Sequence, residues 1–181
     1  MRKQIGIAAL ALVAFVFGTA NAVAQSVSNP ASTTVNLKLS DVISIDAGSV
    51  AAGGIVDFNY LTSDDYNSAK NVTVANSLIV TSSKNFDVKV KAEGENFMNG
   101  SNVIPVFVLQ VKAVSGGTIN GSLKSITLSA VDQVLVSNAA LGAQKSLNID
   151  YSISAINAST FLLGKAAGTY TQKVKYTATA L

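Results

Sequence analysis

The 181-residue chain has no cysteine, no histidine and no tryptophan, only two prolines, and few charged side chains. Each gap in the composition rules something out. Without cysteine there is no disulfide framework, so the fold must hold by its core alone. Without histidine the commonest general base and the commonest metal ligand are gone. The numerous serines therefore have no imidazole to activate them. Tryptophan, the aromatic best suited to stacking on sugar rings, is missing too. These gaps predict a protein that is not an enzyme and carries no cofactor and no metal.

The N-terminus reads as an address rather than as structure. Arg2 and Lys3 form a positive head, Ile5 to Phe17 an apolar run, and Ala22-Val23-Ala24 a small-residue cleavage site. The apolar run is short of the ~20 residues a membrane span needs. We therefore read residues 1–24 as a cleaved Sec-type signal, which directs the chain to the periplasm, the cell surface or the exterior. With no cysteine after it, no lipid can be attached there. Cleavage leaves 157 of the 181 residues, enough for one domain with a real core. It also leaves 11 basic against 10 acidic side chains, since Arg2 and Lys3 go with the signal. Such a surface has no electrostatic footprint for nucleic acid or anionic membrane.

What is present is a period of two. In TTVNLKLSDVISIDA (33–47), Val35, Leu37, Leu39, Ile43 and Ile45 alternate with polar residues. Phe86, Val88, Val90 and Ala92 do the same in NFDVKVKAE, and Leu147, Ile149, Tyr151 and Ile153 in KSLNIDYSIS. In the terminal GTYTQKVKYTATAL (168–181), Tyr170, Val174, Tyr176, Ala178 and Ala180 share one parity. Alternation of this kind puts one strand face on a core and the other in water. Turn pairs such as Gly53-Gly54, Asn99-Gly100, Gly116-Gly117 and Asn120-Gly121 separate the runs. The pattern predicts an all-β antiparallel sandwich of about nine or ten strands. Residues 33–181 form its single domain and residues 25–32 a flexible leader. Helix is expected only as short turns, around Ser63–Ala69 or Ala155–Leu163. A small outer-membrane barrel fits less well, because few aromatics stand at strand ends to form girdles.

Among groups that could carry chemistry, Asp64 and Asp65 form a polar connection, read either as a solvated turn or as a calcium site. Glu93 and Glu95 lie too close along one short segment to flank a bond as glycosidase carboxylates do. Four Asn-x-Ser/Thr sequons, at Asn71, Asn99, Asn120 and Asn157, are no more than a chain rich in Asn and Ser produces by chance. Tyr60 and Tyr66 bracket the aspartates. They are either half-buried at a sheet edge or, with Phe58, an aromatic platform for glycan.

Three segments carry a resemblance: VNLKLSDVISIDAGSVAAGGIVDFNY (35–60), SLIVTSSKNFDVKVKAEGENFMNGSNVIPV (77–106) and AAGTYTQKVKYTATA (166–180). The last is similar to the A-G-T-Y-x-x-x-V-x-(Y/V)-T ending of spore coat protein U-like and fimbrial-subunit domains. The middle one resembles WxL-type cell-wall-binding domains, though the chain lacks their Trp-x-Leu motifs. The pilin-type resemblance implies an immunoglobulin-like sandwich, an exported surface subunit that polymerises with copies of itself by β-strand addition and is held during export by a periplasmic chaperone. On this reading Val35, Leu37 and Leu39 belong to a donor strand, and Tyr170, Val174 and Tyr176 to an edge that receives one. In the other reading the terminal strand simply pairs within its own sheet. The functional alternative is a monomeric module that binds cell-wall or host glycan.

Overall fold

The computed structural model describes residues 31–181; the expected signal at 1–24 and the expected leader up to Pro30 lie outside them. The compact body runs from Leu39 to Leu181, and residues 31–38, which are in neither helix nor strand, belong to a separate unit. Eleven strands are found among the described residues, in this order. The first half comprises β1 (Ile43–Ile45), β2 (Lys70–Ser82), β3 (Phe86–Ala92), β4 (Asn96–Asn99), β5 (Asn102–Pro105) and β6 (Leu109–Val114). The second half comprises β7 (Ser122–Leu123), β8 (Ser125–Thr127), β9 (Gln133–Ala139), β10 (Gly142–Ile153) and β11 (Val174–Ala180). Two short helices, α1 (Ser63–Asn67) and α2 (Ala155–Asn157), fall within the two segments where helical turns were expected. A π turn, Ala158–Leu162, continues α2.

The strands form an all-β sandwich of antiparallel sheets. One sheet has the order β1-β2-β10-β6-β8, the other β11-β3-β9-β7, and β4-β5 is a separate hairpin closed by Gly100-Ser101. The inward parity of each strand fills the space between the sheets. Leu78 and Val80 of β2 meet Leu147, Ile149 and Ile153 of β10 and Val111 of β6, with Phe86, Val88, Val90, Leu135 and Val136 opposite. The outward face of the first sheet is polar. Its cross-strand rows read Asn71-Ser152-Gln110-Thr127 and Thr73-Asp150-Lys112-Ser125. A filled apolar interior beneath such a face is the inverse of a lipid-facing barrel.

The two long edges of the sandwich differ. On one side the chain passes from β7 to β8 through Lys124, whose N–H donates to Leu135 and whose carbonyl accepts from Ala113, so the two sheets are stitched together there. On the other side lie β1, only three residues long, and β11, seven residues long and paired on one side only.

Two expected strands are shorter than their alternation. The run from Val35 to Ile45 is a strand only over Ile43–Ile45. The register explains this, because β1 runs antiparallel to β2 with Ile43 opposite Ser82. Residues before Val42 would need partners beyond Ser83, where the chain has already turned toward β3. The C-terminal run is a strand only from Val174, because its partner β3 ends at Ala92, opposite Val174. Upstream, the Gln172 amide donates to the carbonyls of Gly94 and Asn96 at 3.0 and 2.7 Å, and Thr171 bridges to Met98.

Candidate functional site

The sequence places its candidate strand-exchange residues in two groups, and they lie in different settings. Val35, Leu37 and Leu39 sit on one parity of a segment without any strand, and they are 75%, 83% and 92% exposed. Three apolar side chains so open on one parity have a strand's pattern without a strand's partner. The body takes hold of the chain just after them. The Val42 N–H donates to Ser83 Oγ at 2.9 Å, the Ser83 N–H donates to the Val42 carbonyl at 2.9 Å, and Lys84 pairs with Asp41 at 2.5 Å. The hydrogen bond and charge of Lys84 hold the Asp41 carboxyl below its ordinary value.

Val174 and Tyr176 lie in β11, whose seven residues pair in register with β3 from Val174↔Ala92 to Ala180↔Phe86. The terminal strand therefore does pair within its own sheet, while among the described residues its other edge pairs with no strand, β1 of the first sheet lying close by. Val174, Tyr176 and Ala178 turn inward, and Lys175, Thr177 and Thr179 face water. Tyr170 is outside the strand, half-buried, with its hydroxyl donating to the Ala166 carbonyl at 3.0 Å.

Tyr176 also ties the sheets together. Its hydroxyl lies 2.6 Å from that of Tyr151 on β10, which is buried in the core. Burial, then the neighbouring Tyr151, raises the Tyr176 phenol far above its usual value. Tyr176→Phe is expected to cost about 1–3 kcal/mol, because it strands the Tyr151 hydroxyl. Tyr151→Phe combined with Tyr176→Phe should recover most of that loss, a pattern that urea unfolding of the two singles and the double would reveal. The same pair sets an alkaline limit. A phenol whose folded value lies above its unfolded one contributes stability that is complete below the unfolded value of 10 and declines as the pH rises past it.

The Tyr60–Tyr66 pair is built into the fold around α1. Their ring centroids are 5.2 Å apart at a tilt of 43°, so the two rings do not share a plane. Lys70 Nζ stands 5.3 Å from the Tyr60 centroid. The Tyr60 hydroxyl is buried without a protein partner, and burial, followed by Asp65 and Tyr66, pushes its phenol up to about 12. Asp65 closes a capping box. Its carboxylate accepts from the Leu61 and Thr62 N–H groups at 2.8 Å each and from Lys70 at 2.6 Å. Lys70 first, then the two backbone donors, hold this carboxyl well below the usual range. Asp65 is thus used as a helix cap and ion-pair partner. Among the described residues no three His, Cys, Asp or Glu side chains come together as metal ligands would.

Sequence reasoning missed one aromatic. Phe107 follows Pro105 in the link from β5 to β6, stays 44% exposed, and meets Phe161 edge-on at 4.9 Å. In the sequence it is one apolar residue in the run VIPVFVL (103–109). The signal that could have exposed it is the proline, which precedes a 3₁₀ turn and breaks the alternation. No protein-family model matches the chain, and no curated protein matches it, so the pilin and coat resemblance is carried by its short motifs alone.

Proposed function

We propose that this protein is a non-catalytic, exported cell-surface subunit of pilin or coat type that assembles by β-strand addition. The observation that carries the reading is the alternation at Val35, Leu37 and Leu39, complete as a strand pattern and exposed to water. Residues 33–40 of one copy supply the added strand. The outer edge of β11, seven residues long, receives it in the next copy. The lengths agree, and main-chain hydrogen bonds give strength while the alternate side chains set the register. Lys175 on the exposed face of β11 is the kind of charge that keeps an open edge from pairing indiscriminately. A periplasmic chaperone that covers the same edge before assembly belongs to this reading.

Light scattering tests it. The chain beginning at Gln25 is expected to give a series of masses in multiples of the monomer. The chain beginning at Asp41 keeps the Val42–Ser83 and Asp41–Lys84 anchors and should be monomeric. Val35→Asp with Leu37→Asp, in the chain beginning at Gln25, should also give monomer at unchanged stability, since both residues are exposed. Losing two apolar side chains worth about 1.5–3 kcal/mol each on full burial is enough to abolish exchange. A stable monomer from the unmodified Gln25 chain would overturn the proposal.

A further inference from the structure

We infer that the cleft beside Phe107 is a binding site for a neutral carbohydrate, held on the polar outer face of the β1-β2-β10-β6-β8 sheet. The inference is independent of strand addition, which uses the opposite sheet's edge. The cleft has a volume of about 280 Å³. That is close to the ~300 Å³ at which small-ligand sites begin, room for one ring-sized unit of a longer chain.

Its floor follows from the sheet register. Gln110 of β6 lies directly between Ser152 of β10 and Thr127 of β8, so three polar side chains stand in one row. Its wall comes from the chain after β10, where Ser154 caps α2 by accepting from the Asn157 N–H at 3.1 Å. The Asn157 amide is fixed in place by donating to the Val108 carbonyl at 3.1 Å, which leaves its oxygen for a ligand. Phe107 forms the rim, steadied by the edge of Phe161.

The chemistry of this lining selects the ligand. No side chain around the cleft carries a charge, so neither a phosphate nor an ammonium finds a counter-ion there. Two amides and three hydroxyls offer donors and acceptors side by side, as the neighbouring hydroxyls of a sugar require. Among the described residues the Gln110 NH₂ and the Thr127 hydroxyl make no hydrogen bond to protein; Gln110 only accepts, from Ser152 at 3.5 Å. The exposed Phe107 ring supplies an apolar surface for the C–H groups of a pyranose. On the same sheet face Asn71 extends the cleft's own row and Thr73, Asp150, Lys112 and Ser125 form the next, polar groups within reach of further units.

The test is NMR of the full chain from Gln25, following the side-chain NH₂ signals of Gln110 and Asn157. Cellohexaose, maltohexaose and chitohexaose are the probes, with a hexamer of galacturonate as the charged counterpart. At least one neutral hexamer is expected to shift both signals saturably, and the charged one to leave them in place. Gln110→Ala and Thr127→Val change exposed side chains on the sheet face, so they should fold normally and each weaken binding by up to about tenfold. Phe107→Ala should weaken it by tenfold or more. Tyr66→Ala should not weaken it. The inference is overturned if no neutral hexamer shifts these signals, if galacturonate shifts them equally, or if Gln110→Ala and Thr127→Val bind as the parent does.

Discussion

Phe86→Ala is expected to lower stability by about 3–5 kcal/mol, the range for removing a large buried aromatic side chain. Phe86 begins β3 and is completely buried. Its partner on one side is Ala180 of β11 and on the other Ala139 of β9. One large ring is thus flanked in the sheet by two methyl groups. When the ring is removed, neither alanine can reach into the void, so the site cannot collapse to recover contacts. Against a total of about 5–15 kcal/mol for a domain, this is a large fraction. The melting temperature should fall by roughly 6–20 °C, at about 2–4 °C per kcal/mol for a chain of this size. Urea unfolding should show a lower midpoint at an unchanged slope. A loss near 1 kcal/mol would mean that the strands on either side close over the gap.

Gly117→Ala should act by the opposite mechanism, an atom with no room. A Cβ at Gly117 would stand 2.2 Å from the Ser146 carbonyl oxygen and 2.9 Å from its carbon, both of them backbone. That same carbonyl accepts from the N–H groups of Thr118 and Ile119 at 2.9 Å each. The methyl group can be admitted only by moving the loop off β10, which gives up both bonds. At about 0.5–1.5 kcal/mol each, the loss is on the order of 1–3 kcal/mol. Gly100 provides the contrast. It has a φ of 58° and nothing within 4 Å of an added Cβ, so its demand is conformational only. Gly100→Ala should therefore cost about 1–2 kcal/mol in the same unfolding experiment, from its left-handed backbone alone.

The particular residues show where the sequence was legible. Wherever a strand is buried on one face and wet on the other, as in Phe86–Ala92 and the second half of Gly142–Ile153, parity alone identified the core. The turns at Gly100 and Gly116 were equally plain, since few other residues adopt their positive φ. Parity failed for Val35, Leu37 and Leu39, because alternation describes what a segment could pair with and says nothing of whether a partner is within reach. Whether Tyr60 displays its hydroxyl or buries it depends on how α1 packs against α2 and the π turn, a tertiary event with no local signature. The Phe107 cleft was invisible for a related reason. Its floor joins positions 110, 127 and 152, which only the sheet register brings into one row.

The unpaired segment before Val42 has a consequence for the lifetime of the protein. A protease binds its substrate by pairing with it, strand to groove, and needs several consecutive residues with free N–H and carbonyl groups. Residues 31–41 are in neither helix nor strand, with Lys38 among them for an enzyme that cuts after basic residues. Strand addition would withdraw this stretch from digestion by occupying the same backbone groups. On the proposed reading, copies that fail to assemble would lose residues 31–41 to proteolysis, and with them the ability to add to an assembly later.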